Sequence, residues 1–443
     1  MMNKSNLTSG SIARGLIMFA IPYLISSFLQ TFYGLADLFV IGIFCGAEAT
    51  TAVSIGSQIT HMLTVVIVGL AMGSVVNIAN AVGENNGKRC SAIIGNTISV
   101  FLIFALALML VLILGVDPIL GLLSTPEEAY ALTRDYALIC FYGVPFIVAY
   151  NVISSIFRGL GDTRTPMYIV AFAGVINVAL DFLLIGPCHM QAAGAAVATI
   201  AAQAISVIVS VLVLIKKRLG IELEAKDLRI DRTITGKLLG VGVPIAVQEG
   251  LIQISFLAIT AIVNSRGVVA AAGVGIVEKL ISFLFLVNSS MLSSVSAMVA
   301  QNIGAGKPER GRKALFVGLA VSVSFGLVVA IIVQFAAEPI VGLFTADAAV
   351  ITMGGQYFRS YVIDCIFAAV HFCFSGYFSG CEKSMYSFIH NMISVILIRI
   401  PGAYLTSIWF PDTLYPMGWA APLGSLLSAC ICIGLFVHME KRK

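Results

Sequence analysis

Two aspartates, Asp37 and Asp181, lie inside long apolar stretches and are the residues in this sequence best suited to chemistry. A carboxylate at the depth of a bilayer costs roughly 2.5–3.5 kcal/mol, so its presence indicates a partner or a role. Asn177 precedes Asp181 by four residues and therefore lies on the same helical face. Neither aspartate has a basic residue within one helical turn. A buried carboxylate without a basic partner tends to hold a proton, and oxygen atoms around it can hold a monovalent cation instead.

The first half of the chain supplies a set of such oxygen-bearing side chains. We predict that they form one proton or Na⁺ site, and its members are Asp37, Asn177, Asp181 and Thr199. The sequence contains no Ser/His/Asp arrangement and no spacing typical of metal-ligand motifs. We therefore predict no catalytic residues and no enzyme activity.

Membrane-spanning helices must position these residues. Of the 443 residues, 59% are hydrophobic and 11% are charged, whereas about a quarter are charged in soluble domains. The mean hydropathy is +1.00, and apolar runs of about 20 residues, enough to cross a bilayer as a helix, recur along the chain. We predict an all-α polytopic membrane protein with twelve transmembrane helices, at residues 15–44, 51–81, 92–116, 130–157, 166–187, 192–216, 236–263, 268–301, 312–337, 350–380, 385–408 and 419–438.

Basic residues are concentrated on one predicted side of the membrane. The termini and the even-numbered connections hold 21 of the 26 Lys and Arg residues, whereas the odd-numbered connections hold Arg134 and Arg266. The positive-inside rule therefore predicts that both termini are cytoplasmic and that the number of spans is even.

The two halves of the sequence resemble each other. Pro118 begins PILGLLS and Pro339 begins PIVGLFT, and the interval between these two prolines is the same as that between Gly159 and Gly380. We predict two six-helix lobes with pseudo-twofold symmetry, an arrangement that suits alternating access to a central cleft. The predicted domains are an N-terminal lobe, a cytoplasmic linker and a C-terminal lobe, at residues 1–216, 217–235 and 236–443.

Three acids fall within spans of the second half. Glu278 is adjacent to Lys279, which favours a local ion pair or a gate contact. Asp364 follows Arg359 by five residues and is either paired with it or part of a site in the C-terminal lobe. Glu249 follows a proline and either lies at the membrane interface or contributes to function.

Five motifs follow one another along the chain, at the first span, the loop into the second, the turn before the fifth, the fifth and sixth spans, and a loop in the second half. They are QTFYGLAD ending at Asp37, ATTAVSIG beginning at Ala49, RGLGDT beginning at Arg158, NVALD beginning at Asn177 with AGAAVAT ending at Thr199, and QNIGAGKPER beginning at Gln301. With these motifs the chain resembles multidrug and toxic-compound extrusion (MATE) transporters over nearly its full length.

The resemblance implies antiport of organic, often cationic compounds out of the cell, in exchange for H⁺ or Na⁺. The N-lobe acids favour the DinF-like subgroup, in which the residues matching Asp37, Asn177, Asp181 and Thr199 form the ion or proton site. The proline matching Pro22 bends the first helix, and proline removes a helical hydrogen bond wherever it occurs inside a helix. The glutamine matching Gln30 lines the cavity. Further candidates for the substrate cavity are Tyr136, Glu249 and Asp364.

These observations also predict the partners and the location of the chain. We expect small organic substrates and the lipid bilayer as partners, with no nucleic acid, no ATP and no cofactor besides the coupling ion. The resemblance implies a monomer in a prokaryotic plasma membrane, inserted as a multi-pass protein.

Two other functions remain open from the sequence. One is a flippase for lipid-linked oligosaccharides or peptidoglycan precursors, which would use cationic side chains to bind a pyrophosphate; the span cations available are Lys279, Arg359 and Arg399. The other is a membrane-embedded enzyme that would gather groups such as His189 with acids near an interface.

Overall fold

The computed structural model describes residues 7–216 and 224–441. Ten of its helices are long and apolar enough to cross a membrane, and two further pairs of shorter helices, bent by 49° and 41°, each pass the same test as one broken span. Together they give the twelve predicted spans, so the predicted fold class is confirmed. Residues 217–223 of the predicted linker lie outside the described residues.

The chain divides into two units, and the first contains the described residues between Ile21 and Gly242. Its helices, numbered along the chain, are α1 (Ile12–Phe44, which begins in the other unit), α2 (Ala47–Gly83), α3 (Gly87–Leu114), α4 (Val116–Leu122), α5 (Glu127–Tyr142), α6 (Val144–Gly159), α7 (Arg164–Ile185) and α8 (Gln191–Lys216), followed by a 3₁₀ turn at Ala225–Leu228.

The second unit contains residues 7–20 and the described residues from Val243 onward. Its helices are α9 (Arg232–Asn264, which begins in the first unit), α10 (Val268–Gly304), α11 (Pro308–Val341), α12 (Ala348–Tyr361), α13 (Asp364–Gly380), α14 (Met385–Ser394), α15 (Ile400–Trp409), α16 (Tyr415–Gly418) and α17 (Ala420–Lys441), with a π-helical turn at Val395–Arg399.

The predicted duplication is visible in the helices. Helix α10 begins and ends as far after α2 as Gly380 lies after Gly159, so the two helices have the same length and register. In the first unit Gly159 of α6 packs against Ile78 of α2, and in the second unit Gly380 packs against Val299 of α10. Ile78 and Val299 are separated by that same interval, so both repeats use glycine to bring the same pair of helices together.

Each unit contains a helical segment that comes from the other half of the sequence. Helix α1 belongs to the second unit as far as Ala20, and α9 belongs to the first unit as far as Gly242. Both divisions fall two residues before a proline, at Pro22 and Pro244. Because proline cannot donate the i to i−4 hydrogen bond, each helix is weakened at the point where it changes unit.

Local sequence explains two of the interruptions. Gly143 separates α5 from α6, and Pro145 occupies the first turn of α6, where its missing N–H is tolerated. Pro401 occupies the first turn of α15 in the same way, directly after the π-helical turn that ends at Arg399.

The two basic residues counted with the odd-numbered connections make different contacts: Arg134 joins α5 to α4, and Arg266 binds backbone carbonyls near the end of α15. Arg134 forms an ion pair with Asp117, at 2.8 Å, and that hydrogen bond holds the pKa of the Asp117 carboxyl below its usual range. Arg266 donates to the carbonyl oxygens of Phe410 (2.9 Å) and Thr413 (3.2 Å).

Candidate ion-binding site

Three helices of the first unit bring the four predicted residues together. Asp37 comes from α1, Asn177 and Asp181 from α7, and Thr199 from α8. The Thr199 hydroxyl donates to Oδ2 of Asp37 at 3.1 Å. Asp181 and Asn177 also lie next to the Asp37 carboxylate.

The two carboxylates are buried and incompletely paired. Asp37 is 4% exposed and Asp181 is fully buried. Oδ1 of Asp37 and both carboxylate oxygens of Asp181 lack a hydrogen-bond partner among the described residues. Two neighbouring carboxylates repel each other when both are charged, so a proton or a cation between them is strongly favoured. Hard monovalent cations prefer such oxygen donors, and the Thr199 hydroxyl and the Asn177 amide oxygen add neutral ones.

A close contact between α1 and α7 sets the position of the site. The Tyr33 ring lies against Gly174 so tightly that a Cβ at position 174 would overlap it, and the Tyr33 hydroxyl donates to the carbonyl oxygen of Val170. Asp37 follows Tyr33 by one helical turn on α1, so this docking aligns it with Asp181 on α7. Glycine at position 174 is what permits the approach.

Tyr136 occupies the core beside the site. It is 1% exposed, and its ring fills the space that a side chain at Gly56 would need. The predicted cavity residue Tyr136 thus packs α5 against α2 and neighbours Asp37.

Three further predicted residues lie on α1 and α9. Pro22 is buried within α1. Gln30 is exposed and lines a small cavity together with Tyr150. Glu249 is half-buried on α9, in the part of that helix that belongs to the second unit.

The acids of the second half have other neighbours than the sequence suggests. The expected ion pair between Glu278 and Lys279 is wrong: adjacent helical residues point in different directions, and Glu278 instead accepts a hydrogen bond from Thr260 at 3.4 Å. The alternative that Arg359 pairs with Asp364 is also wrong, because α12 ends between them and Arg359 reaches Glu338 at 3.3 Å.

Asp364 is fully buried near Arg399. The Arg399 guanidinium donates to the Tyr361 hydroxyl at 2.8 Å and lies 4.8 Å from the centre of the Phe256 ring. Arg359 and Arg399, two of the cations considered for a pyrophosphate, are thus held by groups of the second unit itself.

The second repeat has no copy of the acid pair at the matching positions. Pro22 and Pro244 occupy corresponding places in α1 and α9, and the interval between them places Ile259, Ala403 and Ala421 opposite Asp37, Asp181 and Thr199. All three matching residues belong to one buried apolar cluster. The candidate ion site is therefore specific to the first repeat.

Sequence reasoning missed three residues that shape the first unit: Tyr33, Arg158 and Gly174. An aromatic residue and a glycine are common in apolar helices, so nothing marks Tyr33 and Gly174 as a pair before the helices are packed. Arg158 directly follows the predicted fourth span, which ends at residue 157, yet it is 5% exposed within α6.

Known proteins resemble this chain in both sequence and fold. The MatE family profile matches the chain twice, at residues 22–183 and 244–405. A FAD transporter of Shewanella oneidensis is 28% identical over 98% of this chain and 96% of its own length. The probable multidrug resistance protein YpnP of Bacillus subtilis is 27% identical over 97% of this chain and 96% of its own length. A crystal structure of MATE in the straight conformation has the same fold, with a TM-score of 0.92 at 19% identity over 99% of this chain and 98% of that one.

The two profile matches correspond to the two repeats, and together they span most of the transmembrane helices. The chain belongs to the MatE family of polytopic membrane transporters and is not an enzyme.

Proposed function

We propose that this transporter exports small organic compounds, many of them cations, in exchange for H⁺ or Na⁺ bound by Asp37, Asn177, Asp181 and Thr199. The observation that carries the proposal is the buried acid pair itself. Thr199 holds one oxygen of Asp37 at 3.1 Å, while three other carboxylate oxygens have no partner among the described residues. An ion supplies what that arrangement lacks.

Ion binding can be linked to a change of conformation through α1. When the ion neutralises the acids, α1 can stay packed against α7; when the ion leaves, the buried charges favour a rearrangement that admits water or substrate. Pro22 weakens α1 and is the proposed hinge. A ligand shifts such an equilibrium only by its differential affinity for the two states, which the acids provide for the ion.

The relatives support organic solutes as the cargo. Several carry multidrug names and one is named a FAD transporter, so the cargo we propose includes ring-containing organic molecules. We further propose a plasma-membrane location with both termini in the cytoplasm and a functional monomer.

The test is efflux of a fluorescent organic cation from everted vesicles, with a proton or a Na⁺ gradient imposed separately. Wild-type protein should respond to one of the two gradients, and Asp37→Asn should abolish that response while the protein still inserts in the membrane. Asp135→Asn is the matched control, because Asp135 is an exposed acid of α5 in the same unit. Gradient-driven efflux by Asp37→Asn at the wild-type rate would refute the coupling role.

A further inference from the structure

A second buried charge in the first unit, on Arg158, forms no ion pair among the described residues. Arg158 lies in the last turn of α6 and is 5% exposed. Its guanidinium carbon lies 4.8 Å from the centre of the Tyr23 ring. Within the described part of the chain its Nε and Nη2 atoms have no hydrogen-bond partner and it forms no ion pair. The guanidinium has five N–H donors and no acceptor, so its partners must be acceptors or anions.

The nearest acid in the sequence, Asp162, accepts hydrogen bonds from residues at the start of α7. Asp162 begins α7 by accepting hydrogen bonds from the Thr165 hydroxyl (2.6 Å) and from the backbone N–H groups of Arg164 (3.1 Å) and Thr165 (3.0 Å). A buried cation left without compensation is strongly destabilising. The cation–π contact with Tyr23 offsets part of that cost, and Tyr23 stacks on one face of the guanidinium without using its N–H donors.

The Arg158 side chain lines a cavity of about 30 Å³. Its polar walls are neutral hydroxyl and amide groups, and the described residues that line it include no aspartate or glutamate. Ser26 and Asn151 donate within their own helices, at 2.9 and 2.8 Å. Ser27 also donates within its own helix, at 3.1 Å. The remaining polar groups of the lining are the hydroxyls of Tyr23, Tyr150, Ser154 and Thr163 and the Gln30 amide. A cation surrounded by hydrogen-bond donors and no acid is suited to an anion.

We propose that Arg158 and the hydroxyls around this cavity bind the phosphate or carboxylate group of an organic anion that the protein transports. The cavity volume suits a compact group of a few oxygen atoms and not a whole organic molecule. The rest of the ligand extends past Gln30, which is exposed at the edge of the same cavity. This inference rests on the proposed transport function and adds a substrate class to it.

The repeat supports a specific role for Arg158. Because Gly159 corresponds to Gly380, the counterpart of Arg158 is Ser379, so the internal symmetry of the fold does not require a cation there. The other buried arginine, Arg399, differs because a tyrosine hydroxyl accepts from it and an acid lies nearby.

Flavin mononucleotide and riboflavin test the proposal directly, because they share the ring system and differ by one phosphate. Their binding is measured by flavin fluorescence quenching on the purified full-length protein in nanodiscs of phosphatidylcholine. Wild-type protein should bind flavin mononucleotide about tenfold more tightly or better, the range expected for hydrogen bonds to a charged group. Equal affinities for the two flavins would overturn the proposal without any variant.

Three variants assign that preference to Arg158. Arg158→Gln should bring the two affinities within about twofold of each other, and Arg158→Lys should keep part of the preference, because it retains the charge but loses the planar fork. Arg164→Gln is the matched control: Arg164 is exposed, lies close in the sequence, and the change removes the same charge. An unchanged preference in Arg158→Gln would overturn the assignment, as would an equal loss in Arg164→Gln.

Competition separates a soluble anion from a lipid headgroup. Inorganic phosphate should weaken flavin mononucleotide binding, whereas replacing a fifth of the phosphatidylcholine by phosphatidylglycerol should leave it unchanged. Displacement by phosphatidylglycerol alone would overturn the proposal in favour of a lipid site. The binding assay needs no gradient, so its failure leaves ion-driven efflux of the organic cation untouched, and failure of the efflux test leaves the flavin preference measurable.

Discussion

Thr199 holds one oxygen of Asp37 and leaves the other without a hydrogen-bond partner among the described residues, available to the proposed ion. A hydroxyl can do this because it donates to the carboxylate while keeping lone pairs that a cation can use. The same oxygen can accept from a protonated acid, so the arrangement serves H⁺ as well as Na⁺.

Thr199→Val should weaken ion binding. Valine keeps the shape of threonine but removes the donor at 3.1 Å from Asp37, and a hydrogen bond to a charged group contributes about 1.5–3 kcal/mol. We expect the ion concentration for half-maximal efflux to rise about tenfold, measured with the same vesicles. Thr199→Ser keeps the hydroxyl and should stay near wild type. Identical ion dependence in both variants would show that the hydroxyl is not used.

At the residue scale the sequence predicts the acids better than their surroundings. Asp37 and Asp181 stand out because a charge in an apolar run is costly wherever the helices pack. Arg158 does not stand out, because an arginine beside a turn is also what a solvated helix end contains. The difference between a solvated and a buried cation here depends on Tyr23, which belongs to another helix, and on Tyr150, which lies earlier on α6.

Helix α1 is positioned on α7 by the contact of Tyr33 with Gly174. The contact lies one turn from Asp37, so any displacement there is transmitted to the acid pair. Overpacking a close contact of this kind typically costs about 1–3 kcal/mol.

Gly174→Ala should therefore lower both stability and transport. The new Cβ would overlap the Tyr33 ring, and α1 must move away from α7 or the ring must turn. We expect a lower thermal unfolding midpoint and a rise in the ion concentration needed for efflux. Gly34→Ala is the control on α1, at the residue next to Tyr33, where a Cβ meets nothing within 4 Å. A midpoint for Gly174→Ala equal to that of Gly34→Ala would contradict this account of the docking.

At the element scale hydropathy predicts the spans but not their interruptions. The runs at 130–157 and 350–380 read as continuous helices, yet each is bent, by 49° and 41°. Gly143 and Pro145 lie at the first bend and explain it, but only after the structure shows where it is. The second lies between Tyr361 and Asp364 without glycine or proline, so no local sequence signal predicts it.

At the scale of the whole molecule, the two segments that change unit complete the units they enter. In the first unit the start of α9 crosses α2 at close range, since a Cβ at Gly242 would overlap the carbonyl of Leu70 and one at Gly73 would overlap that of Leu238. In the second unit Gly15 of α1 packs against Met298. Neither unit is complete without chain from the other half of the sequence.

Gly242→Ala should destabilise the first unit although residue 242 is far along the chain. Backbone lies on both sides of this crossing, so the added methyl cannot be absorbed by a side-chain rotation. We expect a lower unfolding midpoint and less transporter in the membrane. Gly236→Ala, in the same segment of α9 with open space around the new Cβ, should match or exceed wild type. Equal unfolding midpoints for the two variants would show that the close approach of α9 and α2 at Gly242 does not limit stability.

At this scale the duplication can be predicted from the sequence, but the exchange of segments cannot. Paired motifs such as Gly159 and Gly380 survive in both halves because both pack against the same helix of their repeat. The unit to which residues 7–20 and 232–242 belong depends on contacts with helices from the opposite half of the sequence. No local sequence pattern predicts those contacts.

The confinement of the acid pair to one repeat also has an electrical consequence. Asp37 and Asp181 are two carboxylates, and the matching positions of the second repeat are apolar. In the exchange proposed above, the pair would return at most two monovalent ions in each cycle. Exchange of two such ions for one singly charged organic cation moves one net charge inward, and the membrane potential then contributes about 2.3 kcal/mol per 100 mV to export. For a neutral or anionic cargo the same stoichiometry moves two or more charges, so the cargo's own charge sets how strongly voltage drives the protein.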